Sequence, residues 1–289
     1  MKHLVDWLEK KRTLNFVLAI SYFVAVLFLH DAMVNVSVWL QNKMAPGDAH
    51  QARLNYDIFI AAVAGVLLVG LLAFLLWHLK KNPENKGLKI GYFVMCCGFI
   101  VGHASFMFLQ NIEGIHSVQF GLLALLIFPL TGSFWKTLFW VFLAGAIDEY
   151  YQYVELYPDK DDYYDFNDMI MDTLGGCMAM TLLAISGVKA RISRTKWYIS
   201  PIFITTVVIA VATMIGFATD LVQFSPIPGK EEQAVLILQM RGDFEGFWRT
   251  TPNSTLKYHV MHPIEGLLVA ASLMGIFSFL DRKLKARPQ

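Results

Sequence analysis

Residues 57–79 read DIFIAAVAGVLLVGLLAFLLWHL, and between Asp57 and His78 this stretch holds no charged or amide side chain. A hydrocarbon core about 30 Å thick needs roughly 20 apolar residues of helix, so the stretch is a membrane span by length and composition. Further runs of the same kind lie near 13–39, 88–110, 114–131, 134–154, 165–188, 198–220 and 260–281. The expected fold class is therefore all-α, a multi-pass transmembrane helical bundle of about eight spans. Composition agrees: 56% of the 289 residues are hydrophobic and 16% are charged, against about a quarter charged in soluble domains.

The joints between these runs carry the basic residues. Lys2, Lys10, Lys11 and Arg12 precede the first run, and Lys80, Lys81, Lys86 and Lys89 join the second to the third. Lys136 falls between the fourth and fifth, while Lys189, Arg191, Arg194 and Lys196 fall between the sixth and seventh. Arg282, Lys283, Lys285 and Arg287 end the chain. With eight spans all five groups lie on one side, which the distribution of Lys and Arg makes the cytoplasm, with both termini inside. The other side receives longer connections near 40–56, 155–164 and 221–259. The last contains Ala234-Val235-Leu236-Ile237-Leu238, a strand-like run that reads as part of a small hairpin or lid.

Net charge is +1, from 24 basic and 23 acidic residues, and no basic tract points to nucleic acid. Cys96, Cys97 and Cys177 fall inside the spans without a C-x-x-C pair, so they read as packing thiols. MKHLVDWLEKKR at residues 1–12 reads as an amphipathic basic lead into a retained first helix, since no small-residue cleavage site follows it.

Ionisable residues within spans are costly and mark functional positions. Here they gather at the non-basic ends of the helices. Glu113 and His116 open the fourth span, Asp148, Glu149 and Gln152 close the fifth, and Asp165, Asp168 and Asp172 begin the sixth. His259, His262 and Glu265 begin the eighth, and His30 with Asp31 lies toward the same end of the first. Asp165 and Asp168 can equally cap a helix. Asp172 lies a turn deeper, where capping gains nothing, on one stripe with 165 and 168. Asp148 and Glu149 stand at a helix C-terminus, where the dipole disfavours negative charge. His262-Pro263-Ile264-Glu265 reads first as a helix start, and secondly as two histidines and an acid able to ligate a metal. His103, alone in mid-span, reads as a packing residue.

Three of these elements resemble the VanZ-like membrane proteins. They are Ile115-His116-Ser117-Val118-Gln119-Phe120-Gly121-Leu122-Leu123, Asp148-Glu149-Tyr150-Tyr151-Gln152, and Asp168-Met169-Ile170-Met171-Asp172-Thr173-Leu174-Gly175-Gly176. The resemblance covers 113–180, about a quarter of the chain. That family often carries arginine in the loop after the second element, where 158–162 here read PDKDD, and usually asparagine where Asp172 stands. The resemblance implies a bacterial envelope protein of the cytoplasmic membrane, the family's namesake being associated with reduced sensitivity to teicoplanin. It also divides the chain into N-terminal membrane helices (1–110), a VanZ-like core (111–188), and C-terminal helices with an extracytoplasmic loop (189–289). A weaker echo relates His116-x-x-Gln119-x-Gly121-Leu122-Leu123 to His262-x-x-Glu265-Gly266-Leu267-Leu268.

Two function classes follow. In the first, Glu113, His116, Asp148, Glu149, Gln152, Asp168, Asp172, His262 and Glu265 bind a membrane lipid or lipid-linked cell-wall molecule without catalysis. In the second, Glu113, His116, Asp148, Glu149, Asp168 and Asp172 hold a divalent metal ion that activates water in a lipid hydrolase or transferase. An ion-coupled transporter fits less well, because its charges normally lie near the midplane on broken helices.

Overall fold

A computed structural model of the protein describes residues 1–107, 114–156, 164–191, 196–225, 227, 233–238, 247–250 and 257–285. Glu113 and the segment 158–162 lie outside the described residues. A short helix α1 (Lys2–Lys10) precedes α2 (Arg12–Met44), α3 (Ala49–Lys81) and α4 (Lys86–Met107). Then come α5 (Ile115–Thr131), α6 (Phe134–Tyr151), α7 (Phe166–Ile185), α8 (Pro201–Ala218) and α9 (Pro263–Lys283). The eight longer helices fall on the eight apolar runs of the sequence. Six of them, α2, α3, α4, α7, α8 and α9, are long and apolar enough to cross a membrane, and α5 is apolar but shorter. The protein is thus an all-α, multi-pass membrane protein.

Among the described residues the helix boundaries differ most from the sequence reading between α2 and α3. The expected 40–56 connection is mostly helix, because α2 runs on to Met44 and α3 restarts at Ala49. The Asp48 side chain accepts from the Gln51 backbone N–H at 2.9 Å and caps the new helix. Polar residues ended the apolar run there without ending the helix. The strand-like run at 234–238 does form a strand, β2 (Leu236–Ile237), but it pairs in parallel with β1 (Val222–Gln223). An antiparallel pair, β3 (Arg249–Thr250) with β4 (Lys257–Tyr258), lies further along the same connection.

Helix α7 forms the centre of the bundle. Seventeen of its 20 residues are buried, including Asp172, Thr173, Gly175 and Gly176. In α8, by contrast, Gly216 alone among the described residues is buried. Side chains such as Val66, Val69 and Leu76 of α3 and Val208 of α8 stand exposed, as expected of surfaces that meet lipid. Small residues let α5 and α9 approach α7 closely. A Cβ added to Gly121 of α5 would lie 3.2 Å from the Gly175 carbonyl, and one added to Gly175 would run into the Ser117 backbone. Gly266 of α9 abuts Phe166 in the same way, so both halves of the sequence echo place a glycine against α7.

The basic joints come together at one end of the bundle. Lys189 after α7 pairs with Glu84 in the α3–α4 turn at 3.1 Å. Arg191 pairs with Glu9 of the α1 helix, and its Nη2 donates to the Pro129 carbonyl at 2.7 Å. Arg12 donates to the next carbonyl, Leu130, at 3.3 Å. Two cations therefore satisfy the open carbonyls at the C-terminus of α5, where the helix dipole also favours positive charge. Gly132, at φ +67°, makes the left-handed turn into α6. Asp281 near the end of α9 then accepts from Ser133 Oγ and, at 2.8 Å, from the Phe134 N–H, closing the N-terminus of α6 from across the bundle.

The α5–α7 crossing tolerates no side chain at Gly175. Gly175→Val is expected to destabilise the protein by about 2 kcal/mol or more, read as a fall in thermal midpoint in detergent. The same change at Gly65, which has nothing within 4 Å, is expected to leave the midpoint near wild type.

Candidate functional site

At the opposite end, three helix termini deliver the polar residues to one point. His116 lies in the first turn of α5, Asp148 and Glu149 in the last turn of α6, and Asp168 and Asp172 in the first turns of α7. The chain leaves α6 through a π-helical turn, Gln152–Leu156, whose first N–H is shared between the Asp148 and Glu149 carbonyls. Such turns recur at functional sites because they re-aim side chains. Gln152, at the head of the turn and on the same helix face, has its Nε2 donating to Asp148 Oδ2 at 3.2 Å and to Glu149 Oε1 at 2.9 Å.

His116 occupies the centre. Its Nδ1 is 3.2 Å from Asp172 Oδ1 and 3.9 Å from Asp148 Oδ2, and its Nε2 is 3.9 Å from Asp168 Oδ2. Its ring stacks on Phe120 one turn below, and the His30 ring of α2 lies 5.7 Å away. Asp148 and Asp172 are fully buried, and His116, Glu149 and Gln152 nearly so. One oxygen of each buried aspartate, Asp148 Oδ1 and Asp172 Oδ2, has no hydrogen-bond donor among the described residues. Gly145 leaves the room for Asp172, since a Cβ there would collide with its Oδ2.

Two overlapping sets of donor atoms lie within 4.8 Å of one another: His30, His116 and Asp148, and His116, Glu149 and Asp168. Both contain His116. The charge balance of the cluster is lopsided, because one or two imidazoles face four carboxyl groups. Buried charge of one sign is expensive, so the surplus must be met by protons, by a cation, or by a bound ligand.

Of the remaining sequence candidates, Asp165 lies near enough to act on Glu149, and His262 and Glu265 make contacts of their own. Asp165 is an N-cap, accepting from the Asn167 N–H at 2.7 Å. His262 and Glu265 form a capping box at the start of α9, where Glu265 Oε2 accepts from the His262 N–H at 2.9 Å and faces His259 Nε2 at 3.1 Å. Their polar contacts are with one another, with His259 and with the backbone, so the first reading of that segment describes its geometry. Cys96 and Cys177 are buried and Cys97 half-buried, all as free thiols.

The sequence places His30 at this end of the bundle but does not show that its partner is His116, and one contributor escapes it altogether. Asn167, hidden between two acids that drew attention as caps, ties three segments together. Its Nδ2 donates to the Met107 and His259 carbonyls at 3.2 and 2.9 Å, and its Oδ1 accepts from the Met261 N–H at 2.9 Å. Tyr164 closes the cluster from the loop side, donating to the Ala146 carbonyl, and burial, then the neighbouring Glu149 and Asp148, push its phenol pKa above the usual range.

A helical membrane protein with a histidine embedded among buried carboxylates, at the end of the bundle opposite the paired basic joints of Arg12, Lys189 and Arg191, is the class so defined. The sequence pattern of the VanZ/LLP1 family matches residues 16–187, more than half of the chain, and the chain belongs to that family. The match extends well upstream of the three motif elements and takes in α3, α4 and most of α2. Neither a curated protein nor a solved structure matches the chain.

Asn167→Leu is expected to loosen the cluster by freeing the start of α7. It leaves two buried carbonyls and one N–H without partners, at about 1–3 kcal/mol each. Faster proteolysis at the ends of α4 and α7, relative to wild type and Asp168→Asn, is the expected reading.

Proposed function

We propose that this VanZ-family protein works in the bacterial cytoplasmic membrane, with its basic end in the cytoplasm and eight spans. On this reading it uses the His116 cluster to hold a divalent cation at the outer face, and the cation engages the polar headgroup of a membrane lipid or lipid-linked cell-wall molecule. The observation that carries the cation is the pair of open oxygens, Asp148 Oδ1 and Asp172 Oδ2, on fully buried carboxylates beside a histidine. Mixed imidazole and carboxylate donors suit Mn²⁺ or Zn²⁺. A cation also supplies the positive charge that recognition of a phosphate or sugar-phosphate headgroup needs and that the side chains of the cluster lack. A role in teicoplanin sensitivity would follow from occupying or sequestering such a ligand.

The overlap of the two donor sets supports a second reading. If one set holds the ion, carboxylates of the other are near enough to accept a proton from water, as hydrolysis or transfer at a lipid headgroup requires. Gln152 would then position Asp148 and Glu149 through its two donated hydrogen bonds.

Titration of the purified full-length protein with Mn²⁺, followed by loss of the free-ion paramagnetic resonance signal, is expected to show saturable uptake. Asp148→Asn, Asp172→Asn and His116→Ala should each weaken it by at least about tenfold. Absence of saturable uptake, or equal affinity in all three variants, would end the cation reading. Within cells, Asp148→Asn should abolish any envelope or glycopeptide phenotype while the protein still inserts. An unchanged phenotype removes that carboxylate from the function.

A further inference from the structure

A second cavity lies at the other end of the bundle and shares none of the carboxylates described above. It is a groove of about 670 Å³ between α2, α5, α6 and the start of α8. Its walls are apolar, with Phe16, Ile20 and Phe23 from α2 and Leu143 and Ile147 from α6. Polar lining is confined to the basic end, where Arg12, Lys136, Thr131 and Ser200 form the mouth.

The dimensions carry the argument. Lining residues run from Arg12 to Phe23 on α2 and from Lys136 to Ile147 on α6. At 1.5 Å per residue either course is about 16 Å. That is about half of a 30 Å hydrocarbon core, the depth of one leaflet. A furrow one leaflet deep, apolar along its length and cationic at one mouth, has the charge and shape of a single phospholipid.

The two cations are placed to meet a headgroup. Arg12 is exposed and spends a hydrogen bond on the Leu130 carbonyl, which fixes its guanidinium beside the groove. The Lys136 ammonium lies 5.9 Å from the Trp135 ring centroid, at the level where amphipathic residues meet the membrane surface. Among the described residues no carboxylate forms an ion pair with either one. Asp281, which feels the charge of Lys136, is already engaged by Ser133 and Phe134. Helix α8 is otherwise exposed along its length, so its start borders the groove without filling it.

We propose that this groove binds one anionic phospholipid of the leaflet at the basic end, with its phosphate between Arg12 and Lys136 and an acyl chain along Phe16, Ile20, Leu143 and Ile147. The bound lipid bridges α8 to the α2–α5–α6 side of the bundle. This inference does not depend on the cation site.

The test is native mass spectrometry of the detergent-purified full chain with an equimolar mixture of phosphatidylglycerol and phosphatidylcholine of matched acyl chains. One phosphatidylglycerol per chain is expected, preferred by about tenfold, because both lipids carry the phosphate but only phosphatidylglycerol carries the net negative charge that two cations attract. Arg12→Gln with Lys136→Gln, which keeps a donor for the Leu130 carbonyl, should abolish the preference. Ile20→Trp, at an exposed position in the groove, should lower retention of both lipids, with helicity unchanged in both variants. Equal retention of the two lipids by wild type, or a preference that survives the double change, overturns the proposal. Displacement by millimolar inorganic phosphate with no effect of Ile20→Trp would reassign the mouth to a free anion. A protein dimer in place of the lipid adduct would assign the groove to a second copy.

Discussion

The backbone contact between α5 and α7 is the constraint on which the rest of the structure depends. Gly175 lies directly on the Ser117 backbone, and Gly121 lies on Gly175. In lipid there is no hydrophobic gain from bringing two apolar helices together, so close packing of small residues must supply the association. That approach seats His116 of α5 against Asp172 of α7 at 3.2 Å. It also places α7 where α4, α6 and α9 can surround it, burying all but three of its residues. A side chain at the crossing would separate the histidine from its carboxylate and open the centre of the bundle together.

The two ends of the bundle manage charge in opposite ways. At the basic end each cation named in the fold finds a local acceptor: Arg191 and Arg12 close the C-terminus of α5, and Lys189 meets Glu84. The acid Asp281, carried there by α9, is satisfied by the start of α6. Charge there consolidates helix ends. At the other end the carboxylates outnumber the imidazoles, and Asp148 Oδ1 and Asp172 Oδ2 have no hydrogen-bond donor among the described residues. Among the described residues the fold satisfies the buried acid Asp281 at one end and leaves a surplus of carboxylates at the other, and that asymmetry is the strongest structural mark of function in the chain.

The cluster also shows how helix termini serve a membrane site. The start of α5, the end of α6 and the start of α7 meet at one level, so side chains reach one another without breaking a span. The staple made by Asn167 fixes the start of α7 to the end of α4 and to the segment before α9, and Gln152 at the head of the π-helical turn holds the two acids at the end of α6. Positioning therefore comes from residues that are not themselves the best candidates to touch a ligand.

The sequence by itself determined the helix inventory, because twenty-residue apolar runs have no other stable form in lipid. It also determined which acids resisted a capping explanation: Asp148, Glu149 and Asp172 are all in the cluster, whereas Asp165 and Glu265 are caps. Helix length past the apolar run was less legible, since hydropathy falls after Leu40 and recovers only past Asp57, while helix-forming polar residues carry α2 on to Met44 and start α3 at Ala49. Only the tertiary structure decided which helices are neighbours, and hence that His116 rather than His262 faces the carboxylates. It alone brought His30 to the site and showed Asn167 joining three segments. Periodicity records which residues avoid water or lipid, but not which partner each one meets across the bundle, and that partner is fixed by helix packing.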